Sequence, residues 1–256
     1  MTDFGVLGPP FAQPLASWIG YSRRREWCLL TALLVTPGEY TSASTLIDVL
    51  WPSDPPRTAR EQLMNCLGSI RRSIEQAGLV DVRLVRRGDK HALAIDPHRV
   101  DHVVFASDRN AAAAALRQQD FAGAVTAYLH ALAIWRGPAL DGYAVGPLAP
   151  RAVYFEELRV ATTEDYFDAC LAAGLAGSVV PDMIAHVDVH PMRERGVGQL
   201  MRALHSTGRT YEAYRVYQML ANRLDAELGI LPGLLVRAAL EELASASRAA
   251  DQYVTA

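Results

Sequence analysis

The chain has 256 residues, half of them apolar, which is enough to bury a substantial core and excludes a chain disordered throughout. Its formal net charge of −3 excludes a uniformly cationic protein, and its densest apolar run, Cys28 to Val35, is far short of the roughly 18 to 20 residues that a membrane-spanning helix needs. Three scattered cysteines, Cys28, Cys66 and Cys170, exclude a disulfide framework and contain no Cys-x-x-Cys pair for zinc, so each reads as a small buried apolar residue.

Phe4-Gly5-Val6-Leu7-Gly8 reads as a short strand stopped by Pro9-Pro10, followed by an extended stretch from Leu15 to Tyr21. Trp27, Leu30, Leu33 and Leu34 recur at helical spacing between Arg24 and Val35, and Pro37-Gly38 ends that helix. Thr41-Ser42 can cap a second, short helix carrying Leu46, Ile47 and Leu50, stopped by Trp51-Pro52. Thr58-Ala59-Arg60-Glu61 has the form of a capping box opening a third helix. Ala59, Leu63, Cys66, Leu67, Ile70 and Ile74 mark its apolar stripe. Glu61, Asn65, Gly68 and Arg72 lie roughly opposite, flanked by Met64, Ser69 and Arg71. That face carries Asn and Arg, which match adenine and guanine edges in a major groove. Val82 to Val85 and His91 to Ile95 then flank a basic turn, Arg87-Gly88-Asp89-Lys90, and predict a hairpin.

Three helices, the last with a polar and basic outer face, followed by a basic hairpin, is the layout of a winged helix. The rival is an α+β domain whose third helix merely faces water. Charge is distributed in keeping with the first reading: residues up to Pro97 carry 11 Lys+Arg against 10 Asp+Glu, and the remainder 14 against 18.

The second half reads as paired helices. Asp101 to Leu116 is Ala-rich and helical in pattern. Phe121, Ala124, Tyr128 and Ala131 share one helical face, and Ala213-x-x-x-Tyr217 repeats the Ala-x-x-x-Tyr step. Gly174 precedes Gly208 by 34 residues, the tetratricopeptide period. Such stacks bind other proteins; a plain bundle without a binding groove is the alternative. A turn-rich segment runs from Arg136 to Pro147, a long helix from about Arg151 to Ala172, and a final helix from Leu234 to about Arg248, beyond the break at Gly229 to Gly233.

Catalytic signatures are lacking. His186-x-x-x-His190 has metal-ligand spacing with Asp182 and Asp188 nearby, but no His-Glu-x-x-His exists and Pro191 follows at once. Gly196-x-Gly198 lacks the third glycine of a dinucleotide fingerprint, and there is neither a Gly-x-Ser-x-Gly elbow nor a Gly-x-x-x-x-Gly-Lys-Ser/Thr loop. The sequence is therefore expected to encode no enzyme and to need no cofactor or metal. Met1-Thr2-Asp3-Phe4 does not look like a signal peptide, so a cytoplasmic protein is expected.

Several stretches together resemble one family. They are Phe4-Gly5-Val6-Leu7-Gly8-Pro9; Leu46-Ile47-Asp48-Val49-Leu50-Trp51-Pro52 with Pro55-Pro56 and Ala59-Arg60; and Leu67-x-x-Ile70-Arg71-Arg72. Val100-Asp101 with Phe105, Trp135-Arg136-Gly137-Pro138-Ala139-Leu140, and His190-Pro191-Met192-Arg193-Glu194-Arg195 continue the series. Gly208-Arg209 and Glu227-Leu228-Gly229-Ile230 with Pro232-Gly233 complete it. The chain resembles the Streptomyces antibiotic regulatory proteins, small two-domain transcriptional activators. It departs from them in the wing, where Lys90-His91-Ala92-Leu93 replaces a Gly-Tyr-Arg-Leu-like strand, and around Met64-Asn65-Cys66.

The resemblance implies a mainly α protein. An OmpR-type winged helix-turn-helix domain (α+β) would span 1–97 and an all-α tetratricopeptide-like bacterial transcriptional activation domain 98–250, with a tail at 251–256. It implies binding to direct repeats at or upstream of the promoter −35 element, with a second protomer on the DNA. It further implies recruitment of RNA polymerase, through the sigma factor's −35-binding region and the alpha C-terminal domain, to an antibiotic or other secondary-metabolite cluster. The residues expected at the DNA are Arg57, Thr58, Arg60, Asn65, Ser69, Arg71 and Arg72 on the third helix and Arg83, Arg86, Arg87 and Lys90 on the wing. Asn65, Ser69 and Arg72 are expected to reach bases, and the others to hold phosphates.

Overall fold

In the computed structural model, which describes residues 2–16 and 23–254 with side chains to residue 245, the chain opens on a small ribbon. Phe4–Gly5 (β1) pairs antiparallel with Phe11–Ala12 (β2). Leu15, where the extended stretch was expected to begin, ends a 3-10 turn at Gln13–Leu15, and residues 17–21 of that stretch lie outside the described residues.

Arg24–Val35 (α1) is buried along almost its whole length from Trp27 onward, because the elements that follow pack around it. Ser42 then has two tasks. With Thr41 it forms β3, and its hydroxyl accepts the Thr45 N–H at 3.1 Å, capping Ala43–Leu50 (α2). Ala59–Gln76 (α3) follows, then Arg83–Arg87 (β4) and Lys90–Ala94 (β5), joined by a two-residue turn, Gly88-Asp89. The sheet is antiparallel in the order β3-β5-β4, with Thr41 and Arg86 opposite His91 on either side. Three helices and this sheet make the winged helix expected from the sequence. Its third strand, β3, is two residues long, too short to show an alternation in sequence.

Downstream come Asp101–Arg117 (α4), Phe121–Ala133 (α5), Ala149–Ala172 (α6), Ala176–Val189 (α7), Glu194–Ser206 (α8), Thr210–Leu228 (α9) and Leu234–Val254 (α10). The last helix continues through residues 251–254, which the sequence reading had assigned to a tail.

The chain folds into two compact units that do not divide at residues 97/98. The first takes Met1–Ala111 with Ala127–Ala161; the second takes Ala112–Thr126 with Thr162–Ala256. The reason lies at β1. The Asp101 carboxylate, 1% exposed, accepts the Val6 and Leu7 N–H groups at 2.9 to 3.0 Å. Arg136 donates to the same carboxylate at 2.7 Å and to the Pro9 carbonyl at 2.7 Å, and its guanidinium lies 4.1 Å from the Phe11 ring centre. The Arg136 and Leu140 N–H groups bond the Leu7 and Val6 carbonyls, so residues 136–140 run along the segment after β1. Gly5 has to be glycine: a Cβ there would overlap the Phe11 ring, the Asp101 carboxylate and the Arg136 guanidinium. Phe105 meets Trp135 edge-on at 5.5 Å beneath this staple.

In the second unit, Gly174 and Gly208 stand in the left-handed region (φ 72° and 79°) at the ends of α6 and α8, giving the expected 34-residue period its two matching turns. Buried Glu164 ties the hairpins together: Arg193 donates to it at 2.9 and 3.1 Å, and the His186 Nε2 lies 3.4 Å away. Burial alone would raise the Glu164 carboxyl, but hydrogen bonds and charge from His186 and Arg193 bring it down to about 2. His186 and His190 stand 5.0 Å apart, ring to ring, with His186 edge-on to Phe167. The histidine turned toward Glu164 is thus part of a packed ionic network.

Candidate nucleic-acid interface

Helix α3 buries Ala59, Leu63, Leu67, Ile70 and Ile74, with Ser69 and Ser73 among them, while Cys66 is only half-buried. The buried stripe therefore leans toward Ser69 relative to the expected one. Ser69 is 9% exposed, and its hydroxyl accepts from Arg23 Nη1 at 2.8 Å. It was expected to reach a base, and it does not lie on the outer face. The start of α1 covers this flank.

The expected capping box does not form either. Thr58 has φ −91° and ψ 13°, a conformation in which its side chain caps no backbone N–H. Its Oγ1 accepts instead from Gln62 Nε2 at 2.9 Å, and Gln62 Oε1 accepts from Arg25 at 2.8 Å. Gln62 was not singled out in the sequence; an i, i+4 Thr–Gln pair was the available signal.

The Arg23-Arg24-Arg25 cluster is spent on the fold. Arg23 bonds Ser69; Arg24 bonds the Gly142 carbonyl at 2.9 Å and stacks on Tyr143; Arg25 bonds Gln62 and stacks on Trp51.

The remaining cations are disposed differently. Arg57, Arg60, Asn65, Arg71 and Arg72 are exposed on or beside α3, and Arg83, Arg86, Arg87 and Lys90 are exposed on the hairpin, as is Thr58 at the helix start. Arg57, Arg60, Arg72, Arg83, Arg87 and Lys90 enter none of the ion pairs seen among the described residues of the first unit, such as Arg99 with Asp3 and Asp81, Arg136 with Asp101 and Arg159 with Glu156. Arg72 reaches back over Gly68, its Nη1 3.9 Å from where a Cβ would stand, an ordinary contact distance. Arg71 Nη2 approaches the Leu84 carbonyl at 3.5 Å, and Arg86 Nε donates to the Gly88 carbonyl at 2.7 Å.

Helix and wing converge on His91, in the middle strand and 3% exposed, whose Nδ1 has no hydrogen-bond partner among the described residues. Burial lowers its pKa first, and the charges of Arg86, Arg71 and Arg60 lower it further, against Asp89. Cations from α3 and from β4 thus lie near one point, on neighbouring parts of helix and hairpin. Physically, such a surface takes a polyanion, with planar guanidiniums suited to phosphates and to guanine edges.

These histidines also set an acid limit. His102 is lowered like His91, chiefly by burial, with its Nε2 3.0 Å from the Leu34 carbonyl opposing. The unfolded chain takes up protons near the ordinary imidazole value of about 6.5, where the folded histidines still refuse them. The stability they contribute is complete above that value and lost as pH falls through the folded pKa values. Glu164 behaves alike on a lower range: its contribution is present above its usual 4.5 and lost toward about 2. The tryptophans among the described residues, Trp27, Trp51 and Trp135, belong to the first unit. Acid titration should therefore change tryptophan fluorescence at higher pH than the helical dichroism of the second unit, and His102→Phe should shift the fluorescence step downward. Coincident transitions in wild type and variant would contradict this.

The second unit offers a surface of another kind. An open depression of ≈ 610 Å³ between α7, α8 and α9 is lined by Ile184, Val187, Val197, Leu200, Val216 and Met219, with Asp188 and Arg215 also bordering it. No helix among the described residues is long and apolar enough to cross a membrane.

Comparison with known proteins places the chain among transcriptional regulators. A family model described as the bacterial transcriptional activator domain matches residues 100–244. The chain is 31% identical over 242 residues to the transcriptional regulator RedD of Streptomyces coelicolor, across 92% of this chain and 68% of that one. It is 32% identical to the regulatory protein AfsR of Streptomyces griseus, across 90% of this chain but only 23% of AfsR. Among solved structures, Mycobacterium tuberculosis EmbR in complex with a low-affinity phosphopeptide matches with a TM-score of 0.86 and 27% identity, over 95% of this chain and 65% of that one.

Proposed function

Because this chain belongs to the Streptomyces antibiotic regulatory protein family of transcriptional regulators, we propose that it is a sequence-specific DNA-binding activator that recognises direct repeats at or upstream of a promoter −35 element. The observation that carries this reading is the unpaired cationic and polar surface that α3 and the β4–β5 hairpin build within one unit. In this reading α3 lies in the major groove and the hairpin grips the flanking backbone. Asn65 and Arg72 meet base edges. Arg57, Arg60 and Arg71 hold phosphates beside the helix, with Thr58 at its start. Arg83, Arg86, Arg87 and Lys90 hold them along the wing. Residues 1–97 supply the DNA contacts and 98–250 the activating surface. Two protomers sit head to tail on the repeat, and RNA polymerase, through the sigma factor's −35-binding region and the alpha C-terminal domain, is recruited to a secondary-metabolite cluster.

Selection of genomic fragments by the purified chain, followed by salt titration, tests it. A direct repeat should be enriched, bound roughly a thousandfold or more above random DNA. With the seven cations assigned to phosphates, the logarithm of affinity should fall with log salt at a slope of about −6 for each protomer. Weak, equal binding to every fragment would overturn the reading. It would favour a second one, a helical-repeat adaptor that binds protein, for which the depression between α7, α8 and α9 and the exposed Tyr211 and Met219 on α9 speak.

A further inference from the structure

Glu61 stands on α3 one turn before Asn65 and on the same face as Arg72, four and eleven residues on. It is exposed. A capping box would have employed its carboxylate, but Thr58 is engaged by Gln62 instead. Arg57 and Arg60 lie close in sequence, yet no ion pair among the described residues of this unit includes Glu61. A free carboxylate therefore projects from a face otherwise made of Arg57, Arg60, Asn65 and Arg72.

Against a DNA backbone such a group is misplaced, because it repels phosphates and has no hydrogen to donate. In a major groove only an amino N–H suits it. Cytosine presents the N4 donor there; adenine presents N6 beside the N7 acceptor, which opposes the second carboxylate oxygen; guanine and thymine present O6 and O4 acceptors. Glu61 is also the third residue of α3, and the first residues of a recognition helix are those that meet base edges.

We propose that Glu61 is a specificity-determining residue that accepts a hydrogen bond from a cytosine N4 amino group and rejects thymine and guanine at the same position. The proposal rests on the DNA-binding reading above. Four residues of helix rise about 6 Å, close to two base steps of about 3.4 Å, so the cytosine lies about two pairs from the base met by Asn65. An acid in a helix's first turn also steadies the helix dipole. That role would affect folding stability and is indifferent to base sequence.

The test is selection from a randomised duplex library by the full-length wild-type chain, E61A and E61Q, with the melting temperature of each. The wild type should require cytosine at one position of each repeat, by roughly 10- to 100-fold over thymine. E61A should lose preference at that position alone, and E61Q should move it toward adenine, which an amide meets at both N6 and N7. Both variants should bind random DNA more tightly, having lost a charge that repels phosphate. Unchanged preferences with a lowered melting temperature would overturn the proposal and leave the DNA-binding reading standing. A wild-type chain that selects no sequence would overturn both.

Discussion

Asp101→Ala should destabilise the first unit by about 3 kcal/mol, the cost of leaving two backbone donors and an exposed guanidinium without the one buried carboxylate they share. The substitution leaves the Val6 and Leu7 N–H groups without an acceptor and the Arg136 guanidinium without its carboxylate. Arg136→Ala should cost less, roughly 2 kcal/mol, since the carboxylate keeps both backbone donors and loses one bond to a charged group. Asp101→Asn should fall between, because a neutral amide oxygen still accepts but no longer pairs with arginine. Denaturant unfolding followed by tryptophan fluorescence reads all three in the unit concerned. An Asp101→Ala loss below about 1 kcal/mol would mean that the staple is incidental.

On DNA the largest effect is expected from Arg72→Ala. A guanidinium meeting a guanine edge is worth about 1 to 3 kcal/mol at its own position, so cognate affinity should fall roughly 5- to 150-fold while random DNA is bound nearly as before. Arg87→Ala, on the exposed wing tip, should weaken cognate and random DNA alike and reduce the salt slope by about one. Asn65→Ala should behave as Arg72→Ala does, at a different base pair. Equal losses on both kinds of DNA from Arg72→Ala and Arg87→Ala would show that neither reads sequence.

Much of the fold could be read from periodicity. The apolar spacing in α1 and α3, the Pro-Gly and Trp-Pro stops and the basic turn between β4 and β5 are local signals, and the structure follows them. What escaped depends on neighbours. The flank of α3 at Ser69 looks polar in sequence, and only the position of Arg23 at the start of α1 shows that it is covered. Thr58 and Glu61 have capping-box spacing, but the box needs an extended Thr58 that the turn after Pro55-Pro56 does not provide. The boundary at 97/98 lies close to residue 100, where the matched family model begins, yet the compact units divide elsewhere. Composition changes there, whereas the carboxylate that completes β1 lies just beyond it, at Asp101, and the guanidinium further on, at Arg136. Both residues belong to family motifs whose structural task is visible only in three dimensions.

That staple bears on how the chain is made. Val6 and Asp101 are 95 residues apart, and Pro9 and Arg136 are 127 apart. A ribosome adding about 5 to 20 residues per second takes roughly 6 to 25 seconds to bring Arg136 out behind Pro9. Through that interval the first strand has left the exit tunnel without the carboxylate and guanidinium that hold it. Helices α1 to α3 can form from local contacts as they emerge, but the edge formed by Phe4 to Leu7 stays open to chaperones or to a neighbouring nascent chain. A segment synthesised well before its partners is thus among the last of its unit to be locked in place.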